Sequence, residues 1–194
     1  RFAVPPDRER IHSWPGDGPV IGTVAALRAE KNLQRLIRAF AAAAREFPCR
    51  LIVVGEGKER PGLESLAAEL GLRDRIFFAG HVADPERLYG AFDIFALTSD
   101  TEQMPYTVLE AMAAGRPVVA TDVGDIGLMV APENLPYIVA RDESAIAASL
   151  RRLLADENLR SRIGDANKEK ALAVFDQRAM FGAFDRLYGI EEGC

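Results

Sequence analysis

Between Val20 and about Ala140 the sequence alternates short, unbroken apolar runs with stretches whose apolar residues recur at helical spacing. Runs of four or five apolar residues, bounded by Gly, Pro and polar clusters, read as strands buried on both faces. Val20–Val24 is the first and Arg50–Val54, with Leu-Ile-Val-Val at its centre, the second; residues 75–79, 93–97, 117–121 and 137–140 complete a set of about six. Asn32 is placed to cap a helix whose stripe is Leu33, Leu36, Ile37, Phe40 and Phe47, and Pro48 stops it. A second helix follows Pro61 with Leu63, Leu66, Ala67 and Leu70 on one face and Gly71 as C-cap. Residues 85–91 and the Gly-interrupted 123–130 read as short helices. From Ser144 the pattern is only helical: Ile146, Leu150, Leu153 and Leu154; then Leu159, Ile163, Leu172 and Phe175; then Met180, Phe181, Phe184, Leu187 and Tyr188. This alternation predicts an α/β, Rossmann-like parallel sheet with helices on both faces and right-handed crossovers, followed by C-terminal helices.

At 194 residues and 48% hydrophobic, the chain can bury a core without staples. Residues 1–19, with Pro5, Pro6, Pro15, Gly16, Gly18 and Pro19, read as an irregular lead-in, and residues 20–194 as one domain. The net charge of −5 argues against a non-specific nucleic-acid binder. Cys49 and Cys194 lack metal-ligand spacing and read as reduced thiols of a cytosolic protein. No apolar run approaches the roughly 20 residues of a membrane span.

The stretch from Ser99 to Asp122, SDTEQMPYTVLEAMAAGRPVVATD, concentrates the chemistry. A polar run follows a strand, a short helix follows it from Thr107 to Ala114, and the next strand comes after Gly115. In an open α/β sheet this puts the loop and helix start at the carboxyl edge, where ligands bind. Free amides there favour anions, and the carboxylates of Glu102 and Glu110 accept hydrogen bonds from hydroxyls. A nucleotide sugar offers both a diphosphate and hydroxyls. Each residue also has a structural reading. Thr107-x-x-Glu110 fits a capping box about as well as a ribose site; Glu102 by itself is a solvated loop acid. Lys31, after the first strand and before a helix, is placed to meet a phosphate as a point charge, with Arg28 a second candidate, though from the residues alone both read more readily as ordinary surface cations. Gly55-x-Gly57 begins a dinucleotide fingerprint but has Arg60 where the third glycine belongs, so a tight turn is the better reading. His12 and His81 stand without partners at metal or triad spacing; His81 follows Gly80 after a strand, with an orientation into the cleft the lesser of its two readings.

Three segments in order, IGTVAALRAEKNLQRLIRAF, LIVVGEGKERPGLESLAAELGLRDRIFFAG and LYGAFDIFALTSDTEQMPYTVLEAMAAGRPVVATDVGDI, resemble the C-terminal domain of retaining glycosyltransferases of the GT-B fold, family 4 or group 1. The resemblance runs from about Val20 to Tyr188. It implies that Glu102 contacts the donor sugar and Glu110 the ribose hydroxyls. Lys31 and the amides of Tyr106, Thr107 and Val108 then hold the diphosphate, and Leu109 lines the nucleotide pocket. The implied reaction moves a hexose-type sugar from a UDP- or GDP-sugar with retention, without a required metal. The implied partner is an N-terminal acceptor-binding domain of the same polypeptide, so the fragment alone is expected to be inactive. The full enzyme is then cytoplasmic, with peripheral association at the inner membrane face in view. Three positions depart from the family: Ala26 precedes Leu27 where the family has Arg, Gln103-Met104-Pro105 replaces Gly-Phe-Gly, and Asp125, Gly127 and Leu128 stand where the family has Gly-Gly and an acid. The departures at Ala26 and Gln103 to Pro105 motivate a rival reading, a degenerate GT-B domain serving as a scaffold; a third, a dinucleotide-dependent oxidoreductase module, has the right sheet but lacks the fingerprint.

Overall fold

The computed structural model describes residues 18–175. Most of the lead-in at residues 1–19, His12, the expected helix around Met180 to Tyr188, and Cys194 lie outside the described residues. The chain runs β1 (Val20–Val24), a 3-10 turn (Ala29–Lys31), α1 (Leu33–Ala44), β2 (Arg50–Val54), α2 (Arg60–Glu69), β3 (Ile76–Gly80), α3 (Glu86–Tyr89) and β4 (Ile94–Leu97). It continues through α4 (Tyr106–Ala113), β5 (Val118–Thr121), α5 (Ile126–Met129), a 3-10 segment (Pro132–Tyr137), β6 (Ile138–Val139), α6 (Glu143–Ala155) and α7 (Glu157–Val174). Six parallel strands stand in the order β3-β2-β1-β4-β5-β6. The order reverses between β1 and β4, so the loops leaving these neighbours diverge and open a crevice at the carboxyl edge.

Alternation along the strands sorts the core into two layers. Leu51 and Val53 of β2 join Leu36, Ile37 and Phe40 of α1, Leu63 of α2 and Ile146 and Leu150 of α6. Ile52 and Val54 point the other way, into a layer with Tyr89, Phe92, Val108, Met112 and Ile126. The continuous apolar strand runs follow from this, because neither face meets water. Gly55 shows why the Gly55-x-Gly57 pair exists. Its φ is +135°, and a Cβ there would stand 2.0 Å from the Ala25 carbonyl oxygen. The pair is a close approach of the β1 and β2 loops, as the tight-turn reading required.

Two apolar stripes differ from expectation. Helix α2 ends at Glu69, and Gly71 at φ +70° redirects the chain. Leu70 is therefore exposed, and Leu72 turns inward instead. In α7 the buried residues are Ile163, Gly164, Asn167 and Ala171, while Leu172 is exposed. A polar side chain holds the middle of that inner face because it carries hydrogen bonds.

Those bonds complete the sheet. Strand β6 pairs with only the last two residues of β5. Above them, fully buried Asn134 takes the place of the missing strand. Its Oδ1 accepts from the Val118 amide at 2.8 Å, and its Nδ2 donates to the Val118 carbonyl at 2.7 Å. Asn167 Nδ2 donates to Asn134 Oδ1 at 2.8 Å and to the Arg116 carbonyl at 2.9 Å, while its Oδ1 accepts from the Ala131 amide. A side-chain amide has the donor and acceptor of a peptide, so it extends the ladder.

Candidate functional site

Two loops meet at the crevice between β1 and β4. The first leaves β1 through Leu27, fully buried, whose amide donates to the Glu56 carbonyl at 2.9 Å. It then forms the 3-10 turn ending at Lys31. Asn32 follows in the left-handed region, at φ 43°, a conformation Asn tolerates better than most residues. Its side chain accepts from the Arg35 amide, so Asn32 closes the turn and caps α1, as the sequence suggested.

The second loop leaves β4 through Thr98 and Ser99, both fully buried. Thr98 Oγ1 donates to the Asn32 carbonyl at 3.1 Å, and Thr121 Oγ1 donates to the Ser99 carbonyl at 2.6 Å. Asp100 then clasps the first loop. Its amide donates to the Glu30 carbonyl at 2.8 Å, Asn32 Nδ2 donates to its Oδ2 at 3.0 Å and an Arg35 amino group to its Oδ1 at 2.7 Å. Arg35 also reaches the Thr98 carbonyl, and Arg141 the Asp100 carbonyl. Burial works to raise the Asp100 carboxyl pKa, but the hydrogen bonds from Arg35 and Asn32 outweigh it, with help from the Arg35 and Arg141 charges. The group therefore sits below its ordinary value. A depressed folded pKa adds stability that is full above the unfolded value of about 3.9 and is lost as pH falls through the folded value. Asp100→Asn is thus expected to cost on the order of 0.5–1 kcal/mol at pH 7, the side chain being partly exposed. Urea titrations of both proteins should converge as the pH is taken below about 3.9 and through the folded value; a gap unchanged at acid pH argues against the charge.

The clasp brings Lys31 and Glu102 together. Lys31 Nζ lies 2.6 Å from Glu102 Oε1, and Ser99 Oγ donates to the same oxygen at 2.6 Å. The two side chains are only 23% and 10% exposed, so salt screens the pair less than a surface pair. Glu102 Oε2 has no partner among the described residues. Beneath the loop lies Gly124, at φ +56°; a Cβ there would stand 2.4 Å from the Glu102 carbonyl oxygen and 2.5 Å from that of Gln103. The Asp125 amide donates to the Gln103 carbonyl at 2.9 Å. The turn after β5 therefore props the Glu102 loop, and helix α5 starts only at Ile126.

Helix α4 begins beside this loop. Pro105 is its N-cap and supplies no side-chain cap. The capping box, one of the two readings of Thr107-x-x-Glu110, is absent: Thr107 sits within the first turn, and Glu110 turns to Tyr89. Tyr89 Oη donates to Glu110 Oε2 at 2.7 Å. Of the three amides expected to serve a diphosphate, Val108 donates to the Pro105 carbonyl at 3.0 Å, and its side chain is buried. The amides of Tyr106 and Thr107 find no backbone acceptor among the described residues. Tyr106 is 78% exposed, and Leu109 packs half-buried against the second core layer. Arg28 does not join the cluster. It extends into solvent 4.0 Å from Glu30 and borders a shallow pocket with Asn32, Gln34 and Glu59. His81 is exposed beyond β3, at the sheet's far edge.

Residues 6–170 match the family described as glycosyl transferases group 1. The chain belongs to that family. The lipopolysaccharide core biosynthesis glycosyltransferase LpsE of Rhizobium meliloti is 30% identical over 182 residues, covering 93% of this chain and 52% of that protein. Among solved structures, Anabaena HepE in complex with UDP aligns with a TM-score of 0.83 at 24% identity, over 94% of this chain and 51% of that one. The C-terminal domain of a group 1 family protein from Francisella tularensis aligns with a TM-score of 0.75 at 24% identity, over 89% of this chain and 95% of that domain. The chain thus spans about half the length of the curated relatives it matches and has the C-terminal, GT-B half of the group 1 architecture. Among the described residues, no helix is long and apolar enough to cross a membrane, and no group of three or more His, Cys, Asp or Glu could hold a metal ion.

Sequence reasoning missed several of these residues. Ser99, Asp100 and Arg35 carried no motif of their own; only their position beside Lys31 and Glu102 in the sheet gives them a role. Tyr89 falls in residues 85–91, which read only as a short helix; its ring is core, while its hydroxyl reaches Glu110.

Proposed function

We propose that this chain is the donor-binding half of a retaining glycosyltransferase that takes a hexose-type sugar from UDP or GDP. The observation that carries the reading is the Lys31–Glu102 pair, held at the switch point between β1 and β4 beside the start of α4. A donor diphosphate seated there would compete with Glu102 for the Lys31 ammonium and take the Tyr106 and Thr107 amides. When the bond from the sugar C1 to the β-phosphate oxygen breaks, negative charge builds on that phosphate. A cation and fixed amide dipoles aimed at it stabilise the charge as it grows, with no required metal. Glu102 Oε2 accepts from a sugar hydroxyl, and Glu110 accepts from the ribose. Pro105 lacks an N–H, so the Gln103-Met104-Pro105 segment contacts the sugar through side chains and carbonyls. HepE was solved with UDP, which favours the same ligand class here.

The acceptor half belongs to a second domain of the same polypeptide, and transfer requires both, because proximity and water exclusion do. The full enzyme would then work in the cytoplasm, with peripheral attachment to the inner membrane face. Calorimetry of the chain with UDP, GDP and their sugars at millimolar concentration tests the reading: weak binding of one nucleotide with almost no transfer is expected, and no binding of any would sink it. Glu110→Ala should weaken that binding by about 1.5–3 kcal/mol, the range for a hydrogen bond to a charged group. Unchanged affinity would take the ribose contact away from Glu110.

A further inference from the structure

The geometry points to Tyr89 as a positioning residue for nucleotide recognition, holding Glu110 by one oxygen so that the other faces a ribose diol. This deepens the donor-binding reading and rests on it. Tyr89 is fully buried on α3, its ring edge-on to Phe92 at 5.9 Å and tilted against Phe95 at 5.6 Å. Such packing leaves the phenol little freedom, and its hydroxyl reaches Glu110 Oε2 at 2.7 Å. Among the described residues Tyr89 is the side-chain hydrogen-bond partner of Glu110, and Oε1 is left without one. Glu110 itself is partly buried on α4, three and four positions after Thr107 and Tyr106, so it shares their helix face.

The chemistry suits a diol. An ionised carboxylate only accepts, and a vicinal diol supplies two donors. A free glutamate on a helix surface samples several rotamers and loses that freedom on binding. One oxygen tied to a rigid, buried phenol fixes the rotamer beforehand, so less is lost when the sugar arrives. Burial, first, and the neighbouring Glu110 charge push the Tyr89 phenol well above its ordinary pKa, so it stays a donor at any pH of interest. Replacement of Tyr89 by Phe keeps the ring and its contacts.

The test compares the 194-residue chain with its Tyr89→Phe variant, using UDP and GDP and their 2′,3′-dideoxy counterparts in calorimetry. For the ribonucleotide that binds, the variant's Kd should rise roughly three- to tenfold, the size of one hydrogen bond's net contribution. For the dideoxy ligand the two proteins should bind alike. An equal loss on both ligands assigns the hydroxyl a structural role and overturns the proposal, as does equal binding of the ribonucleotide by both proteins. Absence of nucleotide binding by the unaltered chain overturns the donor-site reading itself, and the proposal with it. Should the variant fail to fold, the unaltered chain labelled at tyrosine Cζ gives the answer by NMR. The Tyr89 resonance should move with the ribonucleotide and stay put with the dideoxy ligand; no difference between the two overturns the proposal.

Discussion

The proposed donor site predicts that replacing Lys31 by alanine in the full-length protein lowers kcat for sugar transfer by about 10²–10³-fold while changing KM much less. That is the range seen when one fixed donor to a developing oxyanion is removed. The argument is geometric. Lys31 ends a 3-10 turn tied on both sides, by Asn32 capping α1 and by Asp100 bonded to Glu30, Asn32 and Arg35. Its ammonium is therefore delivered to the crevice rather than searching for it. In the ground state the donor diphosphate already carries charge, so some binding is lost too. The larger loss falls on the step in which charge grows on the leaving group, because only interactions that strengthen in the transition state raise kcat. The fold should survive, since Lys31 is partly exposed and Glu102 keeps Ser99 as a donor. Steady-state kinetics and circular dichroism of the variant check both halves; a loss under tenfold with an intact fold would remove Lys31 from the transition state.

Asn134→Ala should cost about 3 kcal/mol or more of folding stability, although Asn134 lies far along the chain from Lys31 and Glu102. The substitution strips partners from the Val118 amide, the Val118 carbonyl and one Asn167 hydrogen, all in a region closed to water. A buried polar group left unpaired costs about 1–3 kcal/mol, and three are exposed to that penalty at once. Against a typical total of 5–15 kcal/mol, this is a large fraction. Urea unfolding at pH 7 should show a lower midpoint with an unchanged slope. A midpoint within the range expected for a 1 kcal/mol loss would mean that water reaches the β5 edge. The same experiment separates the two residues, because Lys31→Ala leaves Glu102 its Ser99 donor and should move the midpoint less than Asn134→Ala does.

Much of this molecule is written in local pattern. The strand runs Val20–Val24 and Arg50–Val54 coincide with β1 and β2, and Asn32 caps α1 where its position implied. Burial on both faces forces a continuous apolar run, and a helix start demands a side-chain acceptor, so both leave marks that neighbours in sequence can carry. That Lys31 and Glu102 lie in loops just after strands is legible for the same reason. Local pattern misled at Leu70 and Leu172, where a stripe continued past the point at which the helix turned or met a polar partner.

What needed the tertiary structure is every contact between loops that are distant in sequence. Whether Glu110 caps its own helix or turns to Tyr89 is a contest between two acceptor geometries, and the packing of α3 against α4 decides it. Asp100 could join Arg35 and Asn32, and Gly124 could lie under Glu102, only after the sheet had placed β1 beside β4 and β4 beside β5. By itself the sequence determined the alternation of strands and helices, and hence a doubly covered parallel sheet with a ligand edge. The pairing of Lys31 with Glu102, the phenol on Glu110 and the asparagine that completes β5 were decided by the fold, because hydrogen bonds across a crevice depend on distances that no local periodicity encodes.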